Sequence, residues 1–288
     1  MSKNLSPIIV KSKYLKCLES NFLNFYPSRK SLIKVANSAR PFEVRFCPDL
    51  VAKKAEVSVN RSAASEKKPR NPFLPFDQNL FVSELNSSPD HVVIFNKFCV
   101  VPEHLLIITK GFVEQSAEYS QQDFEAVDEV LTDLKEERPL AFYNSGAEAG
   151  ASQSHRHFQV IPTENVPIEE HIEAVNLFNE PFSIPLYSKF NHGCIRRPSS
   201  HEKSSSWHFE AYMKLKSFCS SENSAFNLIW TSDWMLLVPR RKEFTDDGVN
   251  SLSLNAMAFA GYFLVMNEER LHEFNVIECL QQVTFVTQ

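Results

Sequence analysis

Only six glycines occur among the 288 residues, too few for a glycine-rich linker or a repetitive loop architecture. Their placement is therefore informative, and Gly146 and Gly150 sit almost together. Six cysteines (Cys17, Cys47, Cys99, Cys194, Cys219 and Cys279) are scattered with no CxxC pair, which argues against a zinc ribbon and, in a chain this long, against a disulfide framework. They read as reduced thiols of a cytoplasmic protein. No run of about eighteen apolar residues is present, so no membrane span is expected. Positive charge is also lacking: 35 acidic against 30 basic side chains leave a net charge of −5. Such a chain has no global field to steer a polyanion, and a dedicated nucleic-acid binder is not expected. The N-terminus carries Lys3, Lys11, Lys13 and Lys16 before its first acid, Glu19, without the continuous apolar core of a secretory signal.

What is present is 43% apolar and 23% charged residues, enough to bury one large core or two modest ones. The polar stretch from Val57 to Asn71 reads as a mobile surface loop following the strand-like run Phe42 to Cys47. His91 to Phe95 is a β-branched and aromatic run, Asn96 and Lys97 make a turn, and Phe98 to Val101 and Leu105 to Thr109 read as further strand interrupted by Pro102. Ser120 with Asp123 forms a capping-box pattern ahead of Phe124, Val127, Leu131 and Leu134 at helical spacing. Leu140 to Tyr143 and His155 to Ile161 read as strands joined by a loop of small residues. Strand pairs without alternating βαβ units predict an α+β domain on an antiparallel sheet. Arg196 to Ser206 reads as a flexible insertion, beginning at about residue 195. The chain is accordingly divided into residues 1–190 and 191–288. The hairpin pattern from Phe226 to Val238, with its turn at Thr231 to Asp233, resembles His91 to His104: both run apolar strand, polar turn, apolar strand, then Val-Pro.

The stretch that carries chemistry is Asn144 to Gln159, NSGAEAGASQSHRHFQ. In an extended strand, alternate side chains share a face, so His155, His157 and Gln159 point one way and Arg156, Phe158 and Val160 the other. Phe158 and Val160 belong to the core, which leaves the His-His-Gln face to a cleft. The loop ahead of it, with Gly146, Gly150, Ala151 and Ser152, is suited to bring backbone amides onto phosphate oxygens. An imidazole beside such a cradle predicts nucleophilic attack on phosphorus. The attacking ring nitrogen is free if the other donates to a carbonyl, which fixes the tautomer. His157 is the better nucleophile, His155 its structural partner, and Gln159 a hydrogen-bonding group that is no acid, which favours transfer to a second phosphate over transfer to water. On the residues alone three alternatives stay open: two histidines of a zinc site lacking a visible third ligand, satisfied sheet histidines with no chemistry, and a loop that is only a tight connection. Lys53, Lys54, Arg240 and Arg241 are weaker phosphate candidates, Glu103-His104 could orient a partner across the sheet, His201 carries no function, and Trp230 and Trp234 read as packing.

The strings NPF (Asn71 to Phe73), NKFCVVPEHLLIITK (Asn96 to Lys110), FYNSG (Phe142 to Gly146), GASQSHRHFQVIP (Gly150 to Pro162) and WMLLVPRR (Trp234 to Arg241) resemble the ATP adenylyltransferase (diadenosine tetraphosphate phosphorylase) family of the histidine-triad superfamily. The resemblance covers roughly Phe42 to Met266 in order. It implies a histidine-triad-like antiparallel sheet with flanking helices whose second half is a degenerate copy of the first. It implies phosphorolysis of diadenosine tetraphosphate to ATP and ADP, reversible, through an adenylyl group on His157. A related sugar-phosphate nucleotidyltransferase and a catalytically idle nucleotide-binding sensor are the alternatives. Partners implied are dinucleoside polyphosphates, ATP, ADP and inorganic phosphate, with no nucleic acid and no membrane; oligomeric state is left open. No tightly bound cofactor is expected, magnesium entering with the nucleotide at most. By the same resemblance Asn144, Gly150, Ala151, Ser152 and Gln153 contact phosphate, Asn96 and Lys97 line the nucleotide pocket, Lys54 meets the phosphate chain, and Asn255, Met257 and Tyr262 approach substrate from the second half. Two departures stand out: Met266, where the family usually has a basic residue, and Glu148, an acid inside the phosphate loop.

Overall fold

Apolar runs bounded by turn residues become the strands of one large antiparallel sheet. The computed structural model describes residues 5–49, 71–198, 206–219, 224–246, 251–265, 267–268 and 275–286. Eight strands lie edge to edge in the order Gly193–Arg196, Trp234–Pro239, Phe226–Trp230, Leu140–Asn144, His157–Ile161, Leu105–Thr109, His91–Phe95 and Phe81–Glu84. Every neighbouring pair is antiparallel. Val238-Pro239 ends a hairpin of this sheet whose turn at Thr231 to Asp233 sets Trp230 opposite Met235, whereas Val101-Pro102 lies in the connection between His91–Phe95 and Leu105–Thr109. Strands from both sides of residue 190 meet along one seam, where Asn227 pairs with Asn144 and Trp230 with Ala141. A second, three-stranded sheet crosses the same divide: Tyr262–Val265 runs parallel to Phe42–Phe46, which pairs antiparallel with Arg29–Ile33.

The pleat sorts side chains into two cores. Tyr143, Phe158, Leu228 and Trp230 face one way, against the helices Pro7–Glu19, Gln121–Asp133 and Trp207–Phe218. The Gln121–Asp133 helix begins with the expected capping box of Ser120 and Asp123 and buries Phe124, Val127 and Leu131. Phe142, Ile161, Ile229 and Leu236 face the other way, against Phe42, Phe259 and Leu280. All six cysteines are buried and none forms a disulfide. Among the described residues no helix is long and apolar enough to cross a membrane.

Three local expectations change. Phe98–Cys99 does not extend the main sheet but pairs in parallel with Asn24–Phe25; Pro102 offers no N–H and Glu103 takes φ 58°, so the chain swings away before re-entering at Leu105. Ile195 and Arg196, expected in the flexible insertion, are strand residues opposite Met235 and Trp234, and residues 199–205 lie outside the described ones. Of the loop expected at 57–71 only Asn71 is described, and it is anchored by its side chain to a histidine.

Candidate active site

The catalytic string enters the sheet later than its sequence suggests. The strand begins at His157, while His155 forms an isolated bridge with Glu114. Arg156 N–H donates to the Val113 carbonyl at 2.8 Å, so residues just before the strand pair with the 113–115 segment instead of with Leu140–Asn144. The alternation of faces holds nonetheless. Arg156 turns to the helix side, where Asp123 accepts from its Nη1 at 2.9 Å and from His91 Nε2 at 3.0 Å. His155 and His157 both contact the Phe73 ring, at 5.6 and 5.4 Å between centroids.

The tautomers follow from the partners. His157 Nδ1 donates to the His155 carbonyl at 2.8 Å, which leaves the lone pair on Nε2. Nε2 hydrogen-bonds to no group among the described residues. His155 serves through that carbonyl. Its own ring is fully engaged: Nδ1 accepts from Asn71 Nδ2 at 3.0 Å and Nε2 donates to Thr109, whose carbonyl and hydroxyl oxygens both lie at 2.9 Å. The open cleft floor expected for these histidines is not what forms: His157 is only 4% exposed, with the Phe73 ring edge-on to His155 and tilted against His157.

A third histidine shares the face. His104 Nε2 donates to Gln159 Oε1 at 3.0 Å, and its Nδ1 accepts from Asn96 Nδ2 at 3.3 Å. Asn96 thus stands behind His104, its Oδ1 taken by the Phe98 N–H. With Oε1 occupied, Gln159 presents its amide N–H groups as the remaining donors. Lys97 is exposed and lies 3.9 Å from the Asp77 carboxylate.

The loop is built differently from a cradle of consecutive free amides. Ala149 and Ala151 N–H donate to the Gly146 carbonyl, and Gly150 N–H to that of Ala147. These three amides close a tight turn, with Gly150 at φ 83°. A Cβ there would come within 3.0 Å of both Asn255 Cβ and the Leu254 carbonyl, so the glycine is needed for conformation and for close approach. Beyond the turn, the amides of Ser152, Gln153 and Ser154 hydrogen-bond to no described residue. Glu148 is exposed.

Asn144 is committed to protein contacts as well. Its Oδ1 accepts from Asn227 Nδ2 at 2.8 Å and from Ala256 N–H at 2.9 Å. Asn227 Nδ2 also reaches the Ala149 carbonyl, and Asn227 Oδ1 accepts from Arg240. Asn255 caps the helix Ala256–Ala260 by accepting from Met257 N–H. Met257 and Tyr262 pack on the second core, the Tyr262 hydroxyl donating to the Asn165 carbonyl. The structure therefore gathers His155, His157 and Gln159 on one face, and the Gly150 turn and Asn144 against Asn255. It gives Lys97 and Tyr262 separate partners. Lys54, Lys53, Met266 and His201 lie outside the described residues.

Burial sets the protonation of the histidines. Desolvation lowers His157 from 6.5 to about 4, opposed by its bond to the His155 carbonyl. Desolvation likewise takes His104 to about 4, against the bond to Gln159. Both are neutral nucleophile-side groups at any physiological pH. Since the folded state holds these protons less tightly than the unfolded chain, stability is full above about pH 6.5 and falls as pH drops toward 4. For His157 the loss is on the order of 3 kcal/mol. Denaturant midpoints measured from pH 7 to pH 4 will fall less steeply in His157→Asn than in the parent chain; superimposable curves would contradict the buried neutral ring.

Residues 7–180 match the family model described as the Ap4A phosphorylase N-terminal domain, and residues 182–286 match that of the ATP adenylyltransferase C-terminal domain. The chain belongs to the Ap4A phosphorylase family. Diadenosine 5',5'''-P1,P4-tetraphosphate phosphorylase 2 of Saccharomyces cerevisiae is 27% identical over 91% of this chain and 87% of the yeast protein. Protein APA1 of the same yeast is 23% identical over the same shares. The crystal structure of yeast Ap4A phosphorylase Apa2 in complex with Ap4A matches with a TM-score of 0.80 at 23% identity, covering 98% of this chain and 97% of that one. This is a shared α+β fold across the whole chain. Within this phosphorylase-family site His104 orients Gln159 across the sheet, as the sequence allows, while Asn71, Gln115 and Asn227 take positions that residue pattern alone does not assign. For His104 and Asn71 the signal was available, since both fall in family strings; for Gln115, in a polar loop, no local signal exists.

Proposed function

We propose that this nucleotidyltransferase phosphorolyses diadenosine tetraphosphate to ATP and ADP, and joins them in reverse, through covalent catalysis by His157. The observation that carries the reading is the Nδ1–H bond to the His155 carbonyl, which turns an unprotonated Nε2 away from the backbone. In the first step the Nε2 lone pair attacks the α-phosphorus of one adenylyl group. The bond from that phosphorus to the bridging oxygen breaks, and ATP departs. In the second, an oxygen of inorganic phosphate attacks the same phosphorus, the N–P bond breaks, and ADP forms. Two in-line displacements leave configuration at phosphorus retained.

Gln159 supports both steps without moving a proton: His104 holds its Oε1, so its amide N–H groups are the ones that meet a non-bridging oxygen whose charge grows in the transition state. The free amides at Ser152 to Ser154 offer the same service to the polyphosphate. Magnesium enters as part of the nucleotide substrate, neutralising its charge. The test is product analysis in the presence of phosphate. Equal yields of ATP and ADP are expected, whereas ATP with AMP would mean hydrolysis and refute the transfer.

A further inference from the structure

Gln115 touches every boundary of the catalytic loop. It is 2% exposed, on a segment outside the regular strands. Its backbone N–H donates to the Ser154 carbonyl at 2.7 Å, and its carbonyl accepts from the Tyr143 hydroxyl at 2.6 Å. Its side-chain Nε2 donates to the Asn144 carbonyl at 2.7 Å, and its Oε1 accepts from the His157 N–H at 2.9 Å. The amide has one orientation that satisfies both, because a carbonyl needs a donor and an N–H an acceptor.

The register explains what this achieves. Leu140 pairs with Ile161, Ala141 with Val160 and Phe142 with Gln159, and there the ladder stops. Two residues further on, the same register would set Asn144 directly opposite His157. The Gln115 amide occupies that rung, bonding to the groups the two strands would have offered each other. The strands are held apart by the thickness of one side chain, and the loop to the nucleophile opens from that point. Without the amide, the His157 N–H and Asn144 carbonyl would either be left unpaired or draw together.

We infer that Gln115 is a positioning residue for the adenylyl-transfer reaction, setting the His157 backbone, and through it the Nε2 trajectory, relative to the phosphate loop. The inference rests on the reaction proposed above. Gln115 touches no substrate in this assignment, so its loss should lower kcat and leave KM nearly alone; displacements of under 1 Å at a nucleophile cost up to about 100-fold. The experiment is single-turnover adenylylation with diadenosine tetraphosphate labelled at its α-phosphorus in the absence of phosphate, ATP being the group released, plus steady-state kinetics, on Gln115→Met, which loses both side-chain bonds, and Gln115→Asn, which is too short to span both partners. Labelling rate and kcat are expected to fall by about 30-fold or more in Gln115→Met and about 10-fold in Gln115→Asn, with KM within about 3-fold of the parent. If Gln115→Met does not fold, Gln115→Asn decides. Unchanged rates in a folded variant, or a loss confined to KM, would overturn the positioning role. A parent chain that takes no label would instead sink the reaction itself.

Discussion

Replacing His157 by alanine is expected to lower phosphate-dependent turnover of diadenosine tetraphosphate by at least about 10⁴-fold, as losing a nucleophile does in covalent enzymes. Nucleotide affinity should survive within about 10-fold. The basis is the geometry: of the two ring nitrogens of His157, one is bound to the His155 carbonyl and the other hydrogen-bonds to no described group. His155 cannot substitute, because both its ring nitrogens are engaged by Asn71 and Thr109. Nor can His104, held between Asn96 and Gln159. The alanine variant should keep its fold, since among the described residues the side chain makes a single hydrogen bond and Phe73 retains its contact with His155. Turnover of the variant within tenfold of the parent would mean that phosphate attacks the substrate directly.

Asn227→Leu is expected to cost about 3 kcal/mol or more of stability and to slow the surviving folded enzyme by about 10-fold or more. Asn227 lies at the seam between the halves, opposite Asn144 and 0% exposed. Its amide bonds to Asn144 Oδ1 and the Ala149 carbonyl, and its carbonyl oxygen takes Arg240. Arg240 is itself 1% exposed, its other partners being the carbonyls of Leu254, Lys242, Glu243 and Val283. Leucine matches the volume but leaves one of the two Nη1–H groups of Arg240 without its acceptor, the other keeping the Leu254 carbonyl, and leaves the Ala149 carbonyl unpaired in the interior. The same change releases the turn that ends at Gly150, which explains why activity and stability fall together. Denaturant unfolding and specific activity on one preparation check it; a loss under about 1 kcal/mol would show that the seam does not hold the loop.

Much of this was legible from local pattern. The strands around His157, the hairpin at Trp230 and Trp234 and the Ser120 capping box all follow from two- and four-residue periodicities, which need no knowledge of distant partners. The shared face of His155 and His157 and the tautomer of His157 were also readable, because strand alternation sets the face and the tautomer needs only a nearby carbonyl. What escaped was set by long-range pairing. The Gly146 to Ser152 stretch has the composition of an anion cradle, yet three of its amides, those of Ala149, Gly150 and Ala151, close on Gly146 and Ala147, a choice made by the backbone at Gly150 rather than by residue type. Asn144 has a side chain suited to phosphate, but Asn227, 83 residues later, claims its oxygen. Gln115 reaches His157 across 42 residues, and nothing in its neighbours distinguishes it from an ordinary loop glutamine.

The central claim is that adenylate is carried on one imidazole nitrogen. The most direct measurement is to incubate the chain, without phosphate, with diadenosine tetraphosphate labelled at its α-phosphorus, denature it under alkaline conditions, digest it and locate the label. The account predicts an acid-labile, base-stable adenylyl group on the peptide containing His157, lost on adding phosphate with the release of labelled ADP. Label on any other residue, or phosphate-dependent turnover with no labelled peptide and inverted configuration at phosphorus, would contradict it.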